Sequence, residues 1–454
     1  MTEGQGGPSR RTFVPAPPLP PAYGPAAMVA LALGVFGGFA VGLYALGGPA
    51  FGWPAQRYAA LTQAHGQIQT LGLIGLLVMG VGGLLLPGFW KTKLDRPRAL
   101  SAGAGLVGTG LAAQLVGQPL DPGPIRELLL VVGALLPPAG FGWAGLTLVR
   151  LRLRQPDRPA VWEAMLTCAG LSLAAALLLR AASLLDLAVT GVPASFGVAH
   201  PLTILLELEG FIFGATVAVQ LRLLPSLART RPVTGWPAAA GLVAYAGGLL
   251  ARVAGTALVV LWLSDLGSWL ELAAAILFFW GLGLGRAGLG RTVEAPATLL
   301  PPRTRVVLRA AWAGLLLAVA GRATGLAPAD TATHAFTSVY LMPLVLVVGI
   351  RMLPRVSAYP VRFPRLSGAL VWAGLLGGAV RAFGELLGGQ LGWQASWIGG
   401  LLLFGCVVVF AALCWSPWGV PTGQPRPLEV ALYRAGGFRV SSPSRQPGRR
   451  RPPG

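Results

Sequence analysis

AHGQIQTLGLIGLLVMGVGGLLLPGFW, residues 64–90, is the stretch that decides the fold. It is an apolar run of membrane length, since a helix needs roughly 20 residues to cross a bilayer core of about 30 Å. One histidine, His65, stands near its start, and a Leu-Leu-Pro sequence that ends at Pro87 stands near its end. The stretch therefore predicts a transmembrane helix with polar groups at one end.

Two further stretches have the same plan. His200 is followed by a Leu-Leu-Pro sequence that ends at Pro225, and His334 by a Met-Leu-Pro sequence that ends at Pro354. From histidine to proline, the three separations are 22, 25 and 20 residues, and the chain contains only these 3 histidines. Placing each histidine at the same point of a repeated helix favours a functional role. The alternative is that the three rings merely suit the headgroup level of a membrane.

The composition is that of a polytopic membrane protein. Of the 454 residues, 54% are apolar and 11% charged, and the mean hydropathy is +0.67. The 65 glycines suit close helix packing in lipid. A net charge of +20 would also suit nucleic acid, but a folded basic face with base-stacking aromatics is not apparent in the sequence. We therefore expect a lipid bilayer as the partner and no nucleic acid.

The apolar runs predict an all-α domain of twelve transmembrane helices over residues 24–415. Residues 1–23, rich in Pro and Gly, are expected to be a disordered cytoplasmic tail, and residues 416–454 an extended, basic, Pro/Arg-rich cytoplasmic tail. The spacing of four spans between the histidine helices predicts three pseudo-repeated four-helix units about a threefold axis. The predicted spans are 25–48, 63–89, 97–117, 127–149, 159–185, 200–225, 235–262, 266–286, 305–325, 333–353, 366–388 and 394–415.

The distribution of positive charge predicts the orientation. Of the 35 Lys and Arg residues, only Arg57 and Arg126 fall in the expected outer loops. Four lie inside spans, and the remaining 29 lie in the tails, at inner helix ends and in the loops after the even-numbered spans. By the positive-inside rule, both termini of this plasma-membrane (inner-membrane) protein are expected in the cytoplasm, with all three histidines at the outer level.

A second repeat runs through the odd-numbered spans, which carry one arginine each or, in span three, Gln114. A charge inside a span costs at least about 2.5–3.5 kcal/mol on insertion scales, so each arginine needs a partner or a route to water. We expect an anion-binding layer. The simpler alternative is neutralisation by nearby acids: Asp186, Asp265, Glu271, Asp330 and Glu385. The arginines are Arg180, Arg252, Arg322 and Arg381.

One more acid, Glu207, lies seven residues after His200. Residues seven apart share a helix face, so we expect Glu207 to be a neighbour of His200. A proton or cation path through the membrane would also use this acid.

A histidine layer above an arginine layer suits haem. Haem takes neutral imidazole nitrogens above and below its iron, apolar walls around the macrocycle and cations for its propionates. Three imidazoles could instead bind copper or zinc, provided that the helix ends converge. The sequence leaves both metal arrangements open.

Several of these motifs resemble haem–copper oxidase subunit I. Ala64-His65-Gly66 resembles its haem-binding second helix, His200-Pro201 its sixth helix with a copper ligand, and Thr333-His334-Ala335-Phe336 its tenth helix. The nearer resemblance is to the NnrS family, haem- and copper-containing membrane proteins linked to nitric-oxide stress and denitrification. Members of that family share histidine-started helices with RxLP-like ends and arginines in alternate spans.

The resemblance implies that His65 and His334 ligate one low-spin haem and that His200 is the remnant of a copper site. The oxidase pattern is incomplete, because span seven lacks its two histidines and Ala332 replaces the high-spin haem ligand. Reduction of oxygen or nitric oxide at a binuclear centre is therefore not expected. The resemblance implies a haem-binding protein of nitric-oxide tolerance or redox sensing. A transporter and a non-catalytic structural or assembly protein remain the alternatives.

Overall fold

The computed structural model describes residues 29–38, 55–155, 159–195, 197–228, 236–284, 302–357 and 364–415. Both predicted tails, residues 1–23 and 416–454, lie outside them. Regular secondary structure in this part of the chain is helical throughout, with no strand. The predicted all-α class is confirmed.

Twelve helices make up the described residues, and eleven of them are long and apolar enough to cross a membrane. The exception is the first, of which only ten residues are described. In chain order the helices are α1 Val29–Gly38; α2 Ala55–Gln67, Ile68–Gly75 and Leu76–Phe89; α3 Pro97–Gly117; α4 Pro124–Leu153; α5 Val161–Thr190; α6 Ala199–Leu205, Leu206–Phe213 and Gly214–Ala228; α7 Trp236–Ala257; α8 Leu261–Gly281; α9 Pro302–Ala323; α10 Ala329–His334, Ala335–Leu341 and Met342–Ser357; α11 Pro364–Gly384, continued by Glu385–Leu387; and α12 Gly389–Trp415.

Some helix ends differ from the predicted spans. Helix α2 begins at Ala55, before the expected edge at residue 63, and α5 continues to Thr190 instead of ending at residue 185. The apolar run marks only the membrane-length part of each helix, and the helical backbone continues beyond it. His65 therefore lies ten residues inside α2, about three turns from its first residue.

Helices α2, α6 and α10 form the centre of the bundle. In their most apolar windows, 61%, 72% and 56% of residues are buried, against 33–39% in α4, α5, α7, α8, α9, α11 and α12. Helix α3, at 56%, is the one outer helix that is equally covered. The predicted histidine helices are thus inner ones, whereas α4, α5, α7, α8, α9, α11 and α12 are more exposed.

Each inner helix contains a π-helical segment: Ile68–Gly75, Leu206–Phe213 and Ala335–Leu341. All three segments begin 19 residues before the proline of the helix, at Pro87, Pro225 and Pro354. The repeat seen in the sequence is therefore matched by a repeat in the backbone conformation. In this register the histidines differ in position, since they lie 22, 25 and 20 residues before the same prolines. The three histidines therefore do not occupy equivalent positions in the repeat.

The helices α3–α4, α7–α8 and α11–α12 form three hairpins that pack through glycine. A Cβ atom at Gly103 would lie 2.7 Å from the carbonyl oxygen of Gly140, and one at Gly248 would lie 2.9 Å from that of Gly267. One at Gly377 would meet the carbonyl oxygen of Gly399 at 3.2 Å. These close backbone contacts recur every four helices, as expected for three four-helix units.

Candidate functional site

Polar side chains gather near the end of the bundle that carries the histidines, here called the histidine end. They form three clusters, one beside each inner helix. The glutamine network comprises Gln63, Gln67, Gln114, Gln118 and Arg180; the ion cluster comprises Glu209, Arg252, Glu271 and Arg322; and the histidine triad comprises His334, Arg381 and Glu385.

The glutamine network holds a fully buried arginine without a carboxylate contact. The Arg180 side chain is 0% exposed. Its Nε donates to Gln67 Oε1 at 2.7 Å, one terminal nitrogen donates to Gln114 Oε1, and the other donates to the carbonyl oxygen of Gly133 at 3.3 Å. Gln114 donates in turn to Gln67 at 2.6 Å and to Gln118 at 2.8 Å. Neutral oxygens therefore solvate this guanidinium in place of water.

Glu207 lies at the contact between α2 and α6. It is 1% exposed, and its Oε2 lies 2.8 Å from Thr70 Oγ1. Both residues belong to π-helical segments. The expected pairing of Glu207 with His200 is not what the structure contains, because α6 crosses α2 at the level of the carboxyl group.

The ion cluster joins four helices. Glu271 Oε2 accepts from Arg252 at 3.1 Å and from Arg322 at 2.5 Å. Glu209 forms ion pairs with the same two arginines, one through each of its oxygens. The Glu271 side chain is 8% exposed. A cavity of about 30 Å³ adjoins the cluster, with Tyr245, Thr333 and Phe336 among its lining residues. Two positive and two negative charges balance, and the cavity has room for about two water molecules.

The histidine triad occupies the end of α10. His334 Nδ1 lies 3.0 Å from Glu385 Oε1, and its Nε2 lies 3.0 Å from a terminal nitrogen of Arg381. Arg381 also donates to Glu385 at 2.5 Å, and Thr331 Oγ1 donates to the other oxygen of Glu385 at 3.2 Å. The carboxylate thus orients both the imidazole and the guanidinium.

His65 approaches this triad from α2. Its Nδ1 lies 3.1 Å from the carbonyl oxygen of Gly37 in α1, and His334 and Arg381 lie close enough for their charges to act on it. An imidazole whose Nδ1–H is donated to a carbonyl keeps Nε2 as the basic nitrogen. His65 and His334 therefore lie within electrostatic range of each other.

His200 lies apart from that pair. It lines a cavity of about 10 Å³ together with Gln67, Arg180 and Thr203. Within the described ranges, no group of three His, Cys, Asp or Glu side chains could hold a metal ion. The convergence of three imidazoles that a copper or zinc site would require is not found among these residues.

The three clusters follow the internal repeat. In the glutamine network Gln67 of α2 contacts α3 and α5; in the ion cluster Glu209 of α6 contacts α7 and α9; and in the triad His334 of α10 contacts α11. Helices α3, α7 and α11 occupy equivalent positions in the three four-helix units. Gln67 and His334 even share the same position, 20 residues before the helix proline.

The four predicted arginines do not form one layer around a single site. Arg180 belongs to the glutamine network, Arg252 and Arg322 to the ion cluster, and Arg381 to the triad. Glu271 and Glu385, named as simple counter-charges, do pair with arginines. In the described residues this simpler account applies to Arg252, Arg322 and Arg381, whereas amides serve Arg180.

Sequence reasoning missed the amides and one arginine. Gln63, Gln67 and Gln118 lie inside or beside apolar spans. Their polar side chains in these apolar stretches could have identified them. Arg126 was expected in an outer loop, yet it is 1% exposed in the first turn of α4. There it donates to the carbonyl oxygens of Leu187 at 2.9 Å and of Val192 at 2.5 Å, and so completes the end of α5.

Comparison with known proteins does not assign the chain to a family or a function. No protein-family model matches the chain, and no curated protein matches its sequence.

Proposed function

We propose that this protein is a haem-binding integral membrane protein of NnrS-like plan, with His65 and His334 as the two axial ligands. The observation that carries the proposal is that two histidines of different inner helices lie within electrostatic range of each other. In each, an oxygen acceptor lies beside Nδ1: the carbonyl oxygen of Gly37 for His65 and Glu385 Oε1 for His334.

A metal-ligating histidine usually has such an acceptor beside its second ring nitrogen. Donation of Nδ1–H to a carbonyl or carboxylate fixes the tautomer, orients the ring and raises the basicity of Nε2. The donor set therefore fits an iron held by two imidazoles. When bound, such a haem would supply reversible one-electron chemistry, and the two imidazoles would hold its iron.

Arg381 is the arginine that stands beside both histidines, and it would hold a propionate of the haem. Its guanidinium presents a planar fork of donors that matches a carboxylate. In the structure that fork contacts Glu385 and the Nε2 of His334. For iron to take Nε2, Arg381 must give up this contact, and a propionate is the type of anion it could bind instead. Arg180, Arg252 and Arg322 have other partners and are not part of this proposal.

Haem could bind at this site only if the helices moved apart. The two cavities near these clusters measure about 10 and 30 Å³, so a macrocycle would have to part the histidine ends of α2 and α10. Residues 39–54, which connect α1 to α2, lie outside the described ranges.

An absorbance spectrum of the protein purified with haem in excess tests the proposal. We expect a Soret band and sharp bands in the reduced state. His65→Ala or His334→Ala should abolish the reduced bands or convert them to a high-spin spectrum, whereas His200→Ala, the matched control, should leave them intact. Three single variants with the native spectrum would contradict the ligand assignment.

A transporter is the second candidate, favoured by one specific observation. Transporters place substrate sites where membrane helices are interrupted and charged groups are buried. Here all three inner helices depart from α-helical geometry at the same register, and buried charges lie beside these segments. A protein that stays colourless when haem is plentiful would favour this candidate over haem binding.

A further inference from the structure

We propose that Glu207 is a buried proton-binding site, which holds its proton as a neutral carboxylic acid in the structure described here. The proposal is independent of haem binding, because it concerns the crossing of α2 and α6 and none of the histidine ligands.

The surroundings of Glu207 do not suit a negative charge. The residue is 1% exposed, and its Oε1 has no hydrogen-bond partner among the described residues. Its Oε2 has one, Thr70. A carboxylate that stays ionised in a protein interior usually accepts two or three hydrogen bonds, and an unpaired buried charge is normally removed by taking up a proton. One hydroxyl group is too few donors for an ionised carboxylate.

A count of protons leads to the same result. Thr70 Oγ1 lies 2.8 Å from Glu207 Oε2 and 3.3 Å from the carbonyl oxygen of Gln67. A threonine hydroxyl has one proton to donate and two lone pairs that accept. It cannot donate to both neighbouring oxygens at once. If Glu207 carries a proton, its O–H donates to Thr70 Oγ1 and the threonine donates to Gln67, so that both contacts become hydrogen bonds.

The charged and titratable groups around Glu207 are engaged with other partners. Arg180 of α5 is the opposite charge within electrostatic range, but its donors are directed to Gln67, Gln114 and a backbone carbonyl. From α7, the hydroxyl of Tyr245 lies 2.5 Å from the backbone carbonyl of Gly210 and 3.0 Å from that of Glu209, so it is engaged by the backbone and not by the Glu207 side chain. The side chain of Glu209 itself is taken by the ion cluster. The titratable groups around Glu207 therefore leave its carboxyl group without a direct ion pair.

The site has a polar connection to the histidine end. Thr70 contacts the backbone of Gln67, whose side chain lines the cavity of about 10 Å³ that His200 also lines. That volume is about the room that one water molecule needs. In the uptake step, a hydronium ion gives up a proton, an O–H bond forms on the carboxyl group, its negative charge disappears, and a neutral water remains. The reverse step returns the proton to water.

The backbone supports a functional role for this contact. Thr70 and Glu207 both lie in π-helical segments, which are rare and frequently mark functional sites. The two segments meet each other in the centre of the bundle.

Infrared difference spectroscopy of the full-length protein in bilayers tests the proposal. We expect the wild-type protein to show a C=O stretching band of a protonated carboxylic acid that is absent from Glu207→Gln. Glu209→Gln is the matched control, two residues away on the same helix, and it should retain the band. The band should also move to lower frequency after transfer to D₂O, because the proton exchanges with solvent. Identical spectra for the wild-type protein and Glu207→Gln, or a band that does not move in D₂O, would overturn the proposal.

Thermal stability gives a second readout. Glutamine is nearly isosteric with a neutral glutamic acid, so Glu207→Gln should melt close to the wild-type protein, whereas Glu209→Gln breaks an ion pair and should melt clearly lower. An equal loss in both would mean that Glu207 is ionised. Should Glu207→Gln fail to accumulate, Thr70→Val replaces it. Loss of the hydroxyl should shift the carboxylic acid band without removing it, and an unshifted band would contradict the proposed hydrogen bond.

Discussion

Replacing Glu271 by glutamine should destabilise the protein strongly, because this carboxylate serves two arginines. Its Oε2 accepts from Arg252 at 3.1 Å and from Arg322 at 2.5 Å, and its side chain is 8% exposed. The change leaves two guanidinium groups with one carboxylate, that of Glu209. Removing one partner from a buried ion pair costs about 3–5 kcal/mol, since the remaining charge stays buried without compensation.

Thermal unfolding of the detergent-solubilised protein measures this loss. A domain of 150–250 residues shifts by about 2–4 °C per kcal/mol, and larger domains shift less, so we expect the melting temperature of Glu271→Gln to fall by about 5–10 °C. Asp265→Asn is the matched control. It removes an acid from the same helix, but Asp265 is exposed, so its effect should stay within about 0.5 kcal/mol.

A double variant separates loss of the ion pair from loss of shape. Removing Arg252 together with Glu271, as Glu271→Gln with Arg252→Gln, restores the charge balance and should recover part of the stability lost in Glu271→Gln. If Glu271→Gln instead melts like the wild-type protein, water solvates the arginines, and the reasoning about a buried ion cluster is wrong.

Two further predictions concern orientation and packing. The first uses single cysteines placed at Pro193 or Lys93 in a background without the native cysteines. An impermeant thiol reagent applied to intact cells should label residue 193 but not residue 93, because the excess of Lys and Arg predicts that the loop of Lys93 is cytoplasmic. Labelling of residue 93 would mean that the orientation is reversed. Gly267→Ala should lower the melting temperature, since its Cβ would lie 2.6 Å from the carbonyl oxygen of Gly248 and force α7 and α8 apart beside the ion cluster. Gly170→Ala, at an exposed helical position with open space around it, should be neutral or slightly stabilising, and an equal loss in both variants would count against the packing argument.

The sequence alone determined the class of the protein, its helix count and its repeat. These properties depend on information that is local in the chain: the length of each apolar run, and the recurrence of a histidine and a Leu-Pro sequence every four spans. The predicted helices are confirmed within the described residues. The cytoplasmic position of both termini also derives from local charge counts, and it stays a prediction.

Only the tertiary structure decided which polar side chains meet. Glu271 pairs with Arg322 across 51 positions of the chain, and Thr70 meets Glu207 across 137. Such contacts depend on which helices are neighbours, on their relative depth and on the π-helical segments that shift the phase of each inner helix. Hydrophobic periodicity carries none of this information, because an apolar span looks the same whichever helix it packs against. For that reason the similar spacing of the histidines suggested one common level, whereas the folded bundle leaves His65 within electrostatic range of His334 and places His200 beside the glutamine network.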